Sequence, residues 1–288
     1  MLDVRRLRLL RDLSQLGTIA AVAEAHTYTA SAVSQQLTVL EREAGARLLE
    51  RTGRRVTLTP AGALLVQHAE KIIAALEEAD AELAAVRDEL TGPLRIGAFP
   101  TAVRTLLPSA LVRLARDHPR LELSVTELDP ADAPRELREH RLDVALINDY
   151  DVMPALDAGE TQPLLDETVY LAVHGAERSV ADAESAPWIS GTPGTACHSV
   201  MLHVCRAAGY QPRIQHTADD FDAVLALVAA GQGVSLVPQL AAGSPPAGVT
   251  LVPLPVRRRT RVAYRKGAAR HPAVAAFVAA IRTSASAY

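Results

Sequence analysis

Residues 29–62 read TASAVSQQLTVLEREAGARLLERTGRRVTLTPAG, and their pattern sets the fold of the N-terminal part of the chain. Val33, Leu37, Leu40 and Ala44 recur at helical spacing, which predicts a helix over about 30–44 with one buried side. The opposite side carries Ser31, Ser34, Gln35 and Thr38. These short, uncharged groups approach base edges or phosphates without the desolvation cost of a long acidic side chain. Thr29 suits the N-cap, because its hydroxyl can accept from the backbone two or three residues on. Just upstream, Ile19, Val22 and Ala23 supply the apolar face of a short supporting helix, so the pair predicts a helix-turn-helix whose second helix reads DNA. Thr18, Thr29, Ala30 and Gln36 flank the polar side and complete the candidate contacts of these two helices.

Downstream, Arg51, Arg54 and Arg55 surround Gly53, while Val56 and Leu58 flank Thr57 in strand-like alternation. This is the pattern of a wing with a basic tip. Three arginines alone would describe a solvated hairpin; directly after a reader helix, phosphate or minor-groove contact is the expectation. Thr59-Pro60 is a cap and first-turn pair, and from Gly62 to about Leu90 no glycine or proline interrupts a helix. One heptad position of that helix reads Leu65, Ile72, Ala79 and Val86, and another reads Ala69, Leu76, Leu83 and Leu90. Four apolar repeats predict a dimerising seam, carried by Leu65, Ile72, Leu76, Leu83 and Val86.

The stretches SAVSQQLTVLERE and LLERTGRRVTLTPAG, in this order, resemble the N-terminal domain of LysR-type transcriptional regulators. The chain departs from that pattern at His26, where relatives usually carry leucine. It departs again at Ala30 and Ser31, where a proline commonly sits, and at Gln35, where many members have arginine. The resemblance implies a linker helix through which subunits pair antiparallel, so that two readers reach one DNA molecule in a homodimer or homotetramer.

Composition bounds the remainder. At 288 residues, 49% of them hydrophobic, the chain suits two or three domains. Residues 1–60 hold nine arginines against six acids, net +3, and the rest hold 21 basic against 27 acidic residues, net −6. So modest a field predicts affinity that leans on dimeric binding to two half-sites rather than on bulk charge. Arg5, Arg6, Arg8 and Arg11 break the first apolar stretch before a signal peptide could form, and the run from Ala223 to Pro238 is too short to span a bilayer. A cytoplasmic protein without membrane contact is expected, its two cysteines held as thiols. Nucleophile elbow, Walker loop, HExxH and dinucleotide fingerprint are all missing, so neither catalysis nor a cofactor is expected.

Thr91-Gly92-Pro93 ends the long helix, and a strand from Leu94 to Ala98 follows. From there strands and helices alternate: helix 105–117, strand 121–127, helix 133–140, strand 142–147. A second alternation has strand 168–173, helix 197–208, strand 214–217, helix 220–230 and strand 234–237, then strand 261–264 and a last helix over about 272–281. The expected architecture is α + α/β, with a winged helix-turn-helix (1–59), a linker helix (60–92) and a two-lobed α/β effector domain (93–288). LRIGAF, RLDVALI, GTACHSVMLHVCRAAGYQP and LVAAGQGVSLVP are similar to the effector-binding half of the same family. That resemblance implies the fold of periplasmic solute-binding proteins, with lobe I formed by 93–162 and 267–288 and lobe II by 163–266. It also implies a small-molecule effector and contact with RNA polymerase. A solute receptor is the rival reading of the C-terminal part, and the DNA-reading head counts against it.

Ligands of open α/β sheets bind beyond the carboxyl ends of strands, near helix N-termini. Candidate positions are Phe99, Pro100, Thr101 and Ala102, then Thr126 beside Glu127, then Ser190, Gly191 and Thr192, and Thr217. Asn148 and Asp149, placed after a strand, are further candidates. The family places a ligand-contacting Ser or Thr just after the first strand, which singles out Thr101. Peroxide-sensing members carry a redox pair near Cys197 and Cys205, making a redox-sensing regulator the alternative. An intact helix, however, would hold these α-carbons roughly 12 Å apart, too far for a bridge, so buried inert cysteine is the better reading. Cys197, His198, His203 and Cys205 fit no compact tetrahedral metal motif. The run Arg257, Arg258, Arg259 and Arg261 reads as a solvated edge strand, and Trp188 as a packing residue near the cleft.

Overall fold

Four side-chain caps start the helices of the N-terminal unit. Asp3 accepts from the backbone of Arg5 and Arg6 and opens α1 (Val4–Leu16), and Thr18 accepts from Ala21 and opens α2 (Ile19–Ala25). Thr29 accepts from Ala32 at the head of α3 (Ala30–Ala44), and Thr59 accepts from Gly62 at the head of α4 (Pro60–Ala85). Each cap satisfies a backbone donor that has no partner within its own helix. The computed structural model describes residues 1–52, 55–86 and 90–288, and the side chains of Arg51, Thr52 and Arg55 also fall outside that description. The wing is β1 (Leu49–Thr52) paired antiparallel with β2 (Arg55–Leu58). Its expected tip at Gly53 and Arg54 lies outside the described residues.

Helix α1 is absent from the sequence-based expectation, although Leu7, Leu10 and Leu13 stand at helical spacing; the interleaved arginines mask the stripe. Those leucines pack with Val22, Val33, Leu37, Leu40, Leu48, Val66 and Ala69 in one core. Gly62 is required where α4 leaves the wing, since a Cβ there would lie 2.1 Å from the Leu48 carbonyl oxygen. Helix α4 stops at Ala85, so Leu90, expected as a fourth repeat, stands in coil; Ala69, expected on the seam, is fully buried instead.

One compact unit comprises Met1–Asp88 with Arg138–His140 and Arg265–Pro272. Within it Glu77, a buried acid of α4, pairs with Arg265 at 2.9 Å and His140 at 3.5 Å. Burial first, then the Arg265 charge, depresses the His140 imidazole to about 4 against the pull of Glu77, so this histidine is neutral near pH 7.

The other unit, Glu89–Leu137, Arg141–Tyr264 and Ala273–Tyr288, is built on a mixed sheet. Strands β3 (Gly92–Ala98), β4 (Leu121–Glu127) and β5 (Val144–Tyr150) are parallel to one another. Between them come α5 (Pro100–Thr105), α6 (Leu107–Asp117) and α7 (Ala133–Arg138). The helix expected over about 105–117 is α6, and a short α5 that was not expected precedes it, separated from it at Leu106. The long strand β6 (Glu160–His174) leads to a parallel pair, β7 (Pro187–Ser190) and β8 (Arg213–Thr217), with α8 (Ala196–Ala207) between them. Helix α9 (Phe221–Ala229), β9 (Ser235–Pro238), β10 (Val249–Tyr264) and α10 (Pro272–Ala285) complete the unit. The order across the large sheet is β4-β3-β5-β10-β6-β9, with β10 antiparallel to both of its neighbours.

This topology corrects the reading of the arginine run. Strand β10 is interior rather than at an edge, and Arg258 is 1% exposed. Arg257 pairs with Asp166 at 2.8 Å, and Arg261 pairs with Asp149. Trp188 is fully buried and donates to the Ala183 carbonyl at 3.4 Å.

Candidate DNA-reading head and effector site

The exposed face of α3 presents Ala30, Ser31 and Gln35, with Ser34 half-buried beside them. Several neighbours are committed elsewhere. Gln36 accepts from Arg6 Nε at 2.8 Å, so its amide oxygen ties α3 to α1 rather than pointing at a free groove. Thr38 donates to the Ser34 carbonyl at 3.0 Å, which spends its only proton. The oxygens of Thr18 and Thr29 accept cap bonds at 3.1 Å each, leaving their protons for a phosphate. Between α3 and the wing lies a notch of about 610 Å3, lined by Ser34, Thr38, Glu41, Arg47, Glu50 and Val56. Glu41 does not face that notch as a free charge: it accepts from the backbone of Leu48 and Leu49 at 2.9 and 3.1 Å, fixing where the wing begins. The basic contacts expected of Arg51, Arg54 and Arg55 lie outside the described side chains.

Behind the reader, His26 Nε2 lies 2.6 Å from Asp12, which also accepts from Arg11 Nε at 2.8 Å. Burial raises the Asp12 carboxyl, but the bonds from His26 and Arg11 together with the Arg11 charge outweigh it and hold the group below its usual value. His26, a departure from the family pattern, thus has a buried carboxylate of α1 as its partner.

In the α/β unit, the carboxyl ends of β3 and β5 meet a buried polar cluster. Thr101, 5% exposed, accepts from Arg258 Nη1 at 3.4 Å, and the guanidinium lies 5.0 Å from the Phe99 ring centre. Arg258 Nε donates to Glu167 at 2.7 Å; the other Glu167 oxygen accepts from the Leu240 backbone at 2.7 Å. Tyr150 Oη lies 3.5 Å from Cys197 Sγ, in the first turn of α8. Burial pushes the Cys197 thiol up, opposed by the Tyr150 bond and the Arg258 charge, so at neutral pH it is protonated. Ser190 Oγ donates to the Gly191 carbonyl at 2.9 Å and lies 2.8 Å from His198 Nδ1. A cavity of about 20 Å3 beside them is lined by Ser190, Gly191, Cys197, Met201, Asp219 and Phe221. That is room for about one water.

The structure thus brings Phe99, Thr101 and Ala102 into the interior and sets Ser190 and Gly191 beside the cavity. Others are exposed or bonded elsewhere, although Thr217 stands opposite Ser190 in the β7–β8 register. Pro100 is exposed, Thr126 is exposed on the edge strand β4, and Thr217 is exposed at the end of β8. Thr192 is stapled to Asp219 by its backbone N–H at 2.7 Å and its hydroxyl at 2.6 Å. Asn148 and Asp149 do not follow a strand but lie inside β5, opposite Thr260 and Arg259 of β10. Tyr150, Glu167 and Arg258 were not among the candidate effector positions, and Cys197 was weighed only for redox chemistry. For Arg258 a signal existed: Val256, Arg258, Thr260 and Val262 alternate as one inward face of a strand.

Residues 4–63 match the family model of the bacterial regulatory helix-turn-helix protein, lysR family, and residues 87–286 match that of the LysR substrate binding domain. A probable hydrogen peroxide-inducible genes activator of Mycobacterium avium is 34% identical over 247 residues, covering 80% of this chain and 78% of the relative. A protein of the same description from Streptomyces viridosporus is 32% identical, covering 97% of this chain and 96% of its own length. A mutant of Corynebacterium glutamicum OxyR shares the fold at a TM-score of 0.58, with 25% identity over 99% of this chain and 92% of that one. No described helix is long and apolar enough to cross a membrane. Two domain matches in the order head then α/β unit, over almost the whole sequence, place this chain in the LysR family as a DNA-binding transcriptional regulator with an effector-binding domain.

Proposed function

We propose that the chain acts as a homo-oligomer that reads a partly two-fold promoter site through Ser31, Ser34 and Gln35, and that a small molecule held near Thr101, Tyr150, Ser190 and Arg258 controls it. The observation that carries the effector reading is the polar cluster at the carboxyl ends of β3 and β5, where Arg258 and Glu167 are each 1% exposed. Buried charge is costly, and a regulator that must respond to a polar ligand has a use for it. Residues 93–162 with 267–288 form one lobe of this reading and 163–266 the other. The 2.7 Å hydrogen bond from Ser109 of α6 to Ser284 of α10 supports the return of the last helix to the first lobe. Ligand would favour one assembly state over another by binding it more tightly, changing the arrangement of heads on promoter DNA and the access of RNA polymerase.

A gel-shift titration with DNA from upstream of the chain's own gene tests this. Joint replacement of Ser34 and Gln35 by alanine is expected to weaken binding to that fragment by about tenfold or more while leaving random duplex unaffected. Equal losses on both would remove these residues from base reading.

A redox reading is favoured by two observations: the Cys197 thiol borders a cavity the size of a single water, and two similar relatives are described as probable hydrogen peroxide-inducible genes activators. Cys197 and Cys205 are both free and lie on one helix, so the chemistry would be that of a single cysteine. The minor thiolate fraction of Cys197 attacks one peroxide oxygen, the O–O bond breaks, hydroxide leaves and takes up the proton the thiol gave up, and a sulfenic acid forms. Peroxide treatment followed by a sulfenic-acid trap and mass spectrometry should label Cys197 and spare Cys205. An unlabelled Cys197, with DNA binding unchanged by peroxide, would end this reading.

A further inference from the structure

Residues 27–31 form a continuous exposed tip where α2 turns into α3. Thr27, Tyr28, Thr29 and Ser31 give it four hydroxyls and no formal charge. Tyr28 is its one large side chain, 53% exposed, directly before the N-cap of the reader helix. An aromatic ring left this open costs apolar hydration, and tyrosine is favoured where a ring packs at an interface while its hydroxyl finds a polar partner.

The ring is not loose. It stacks on the His26 imidazole with centroids 6.2 Å apart and planes 16° from parallel. His26 is in turn held by the buried Asp12, and Arg11 holds Asp12 from its other side. The Tyr28 backbone N–H donates to the Ala23 carbonyl at 2.8 Å, while Thr27 takes a left-handed φ of 56° that turns the chain sharply. Among the described residues no group bonds the Tyr28 hydroxyl. A buried carboxylate thus serves, through His26, to orient an exposed ring whose hydroxyl donates to nothing among the described residues.

We propose that Tyr28 is a further DNA contact, its phenol donating to a backbone phosphate at the edge of the groove that α3 enters, with His26 as its positioning residue. The proposal rests on the DNA-binding character of the family and adds a residue outside the face of α3. Phosphate rather than base is the partner because Tyr28 precedes the helix. The first turn of a reader helix meets base edges, and the residues leading into it lie over the sugar-phosphate chain.

The test is Tyr28→Phe, which keeps ring and stacking and removes only the donor. Full-length protein is titrated by fluorescence anisotropy onto the fragment upstream of its gene and onto a random duplex of equal length, at several salt concentrations. The expected result is a loss of about tenfold on both duplexes, the scale of one hydrogen bond to a charged acceptor, with an unchanged salt slope because a neutral phenol displaces no counterion. His26→Leu should reproduce most of that loss in wild type and add little in the Tyr28→Phe background, with the melting temperature of each variant recorded. Unchanged affinity in Tyr28→Phe would overturn the proposal. A loss confined to the promoter fragment would overturn the phosphate assignment. Wild-type protein that bound neither duplex would refute the DNA-binding reading, and the proposal with it.

Discussion

Glu167 and Arg258 are a buried ion pair whose charges can be tested one at a time. Both carboxylate oxygens of Glu167 are engaged, one by Arg258 and one by the Leu240 backbone. Glu167→Gln keeps the shape and an acceptor but leaves the guanidinium without its counter-charge, and is expected to lower unfolding free energy by about 3 to 5 kcal/mol in urea titrations. Replacing both residues with apolar ones of similar volume should cost much less, since the desolvation penalty disappears with the charges. A single variant as stable as wild type would mean that Arg258 is compensated elsewhere. Among residues, the sequence made the caps plain, because a cap acts within one turn: Thr29 and Thr59 both bond as their spacing requires. It concealed the commitments of Gln36 and Thr192, which look like free polar groups until Arg6 and Asp219 arrive from 30 and 27 residues away.

Helix α4 shows how one element can carry two apolar faces. Val66, Ala69, Ile73 and Ala81 turn inward and are at most 8% exposed, whereas Ile72, Leu76, Leu83 and Val86 are 37 to 82% exposed. The outward set steps by four, seven and three residues, the spacing of a coiled-coil seam. Leu76→Asp is therefore expected to halve the mass seen by light scattering, yet leave the melting temperature of the monomer close to that of wild type. Ile73→Asp should unfold the unit instead. Unchanged mass in Leu76→Asp would show that this face pairs with nothing outside the chain. The heptads were legible in the sequence, but which of the two faces looks outward was not. Both are apolar, and only the packing of α1 and of the Ala268–Arg270 segment against α4 distinguishes them. The arginine run of β10 failed for a related reason: exposure belongs to the position of a strand within its sheet, and the antiparallel insertion between β5 and β6 leaves no local trace.

Across the whole molecule, each unit has its own core. Leucines of α1 and α3 close the head, and Val169, Leu171, Trp188 and Met201 anchor part of the α/β unit. Periodicity, caps and the Gly-Pro break at residues 92–93 were enough to read the reader helix, the wing strands, the long linker helix and most of the strand–helix alternation, because these depend on spacings of two to seven residues. What the chain does with its buried charges depended on tertiary structure alone. Arg258 meets Thr101 across 157 residues of sequence, and Tyr28 gains its orientation from Asp12 through His26. Local pattern specifies which side chains share a face. Only folding specifies which distant charge compensates a buried one, since that pairing is chosen by the desolvation cost of leaving it unmade.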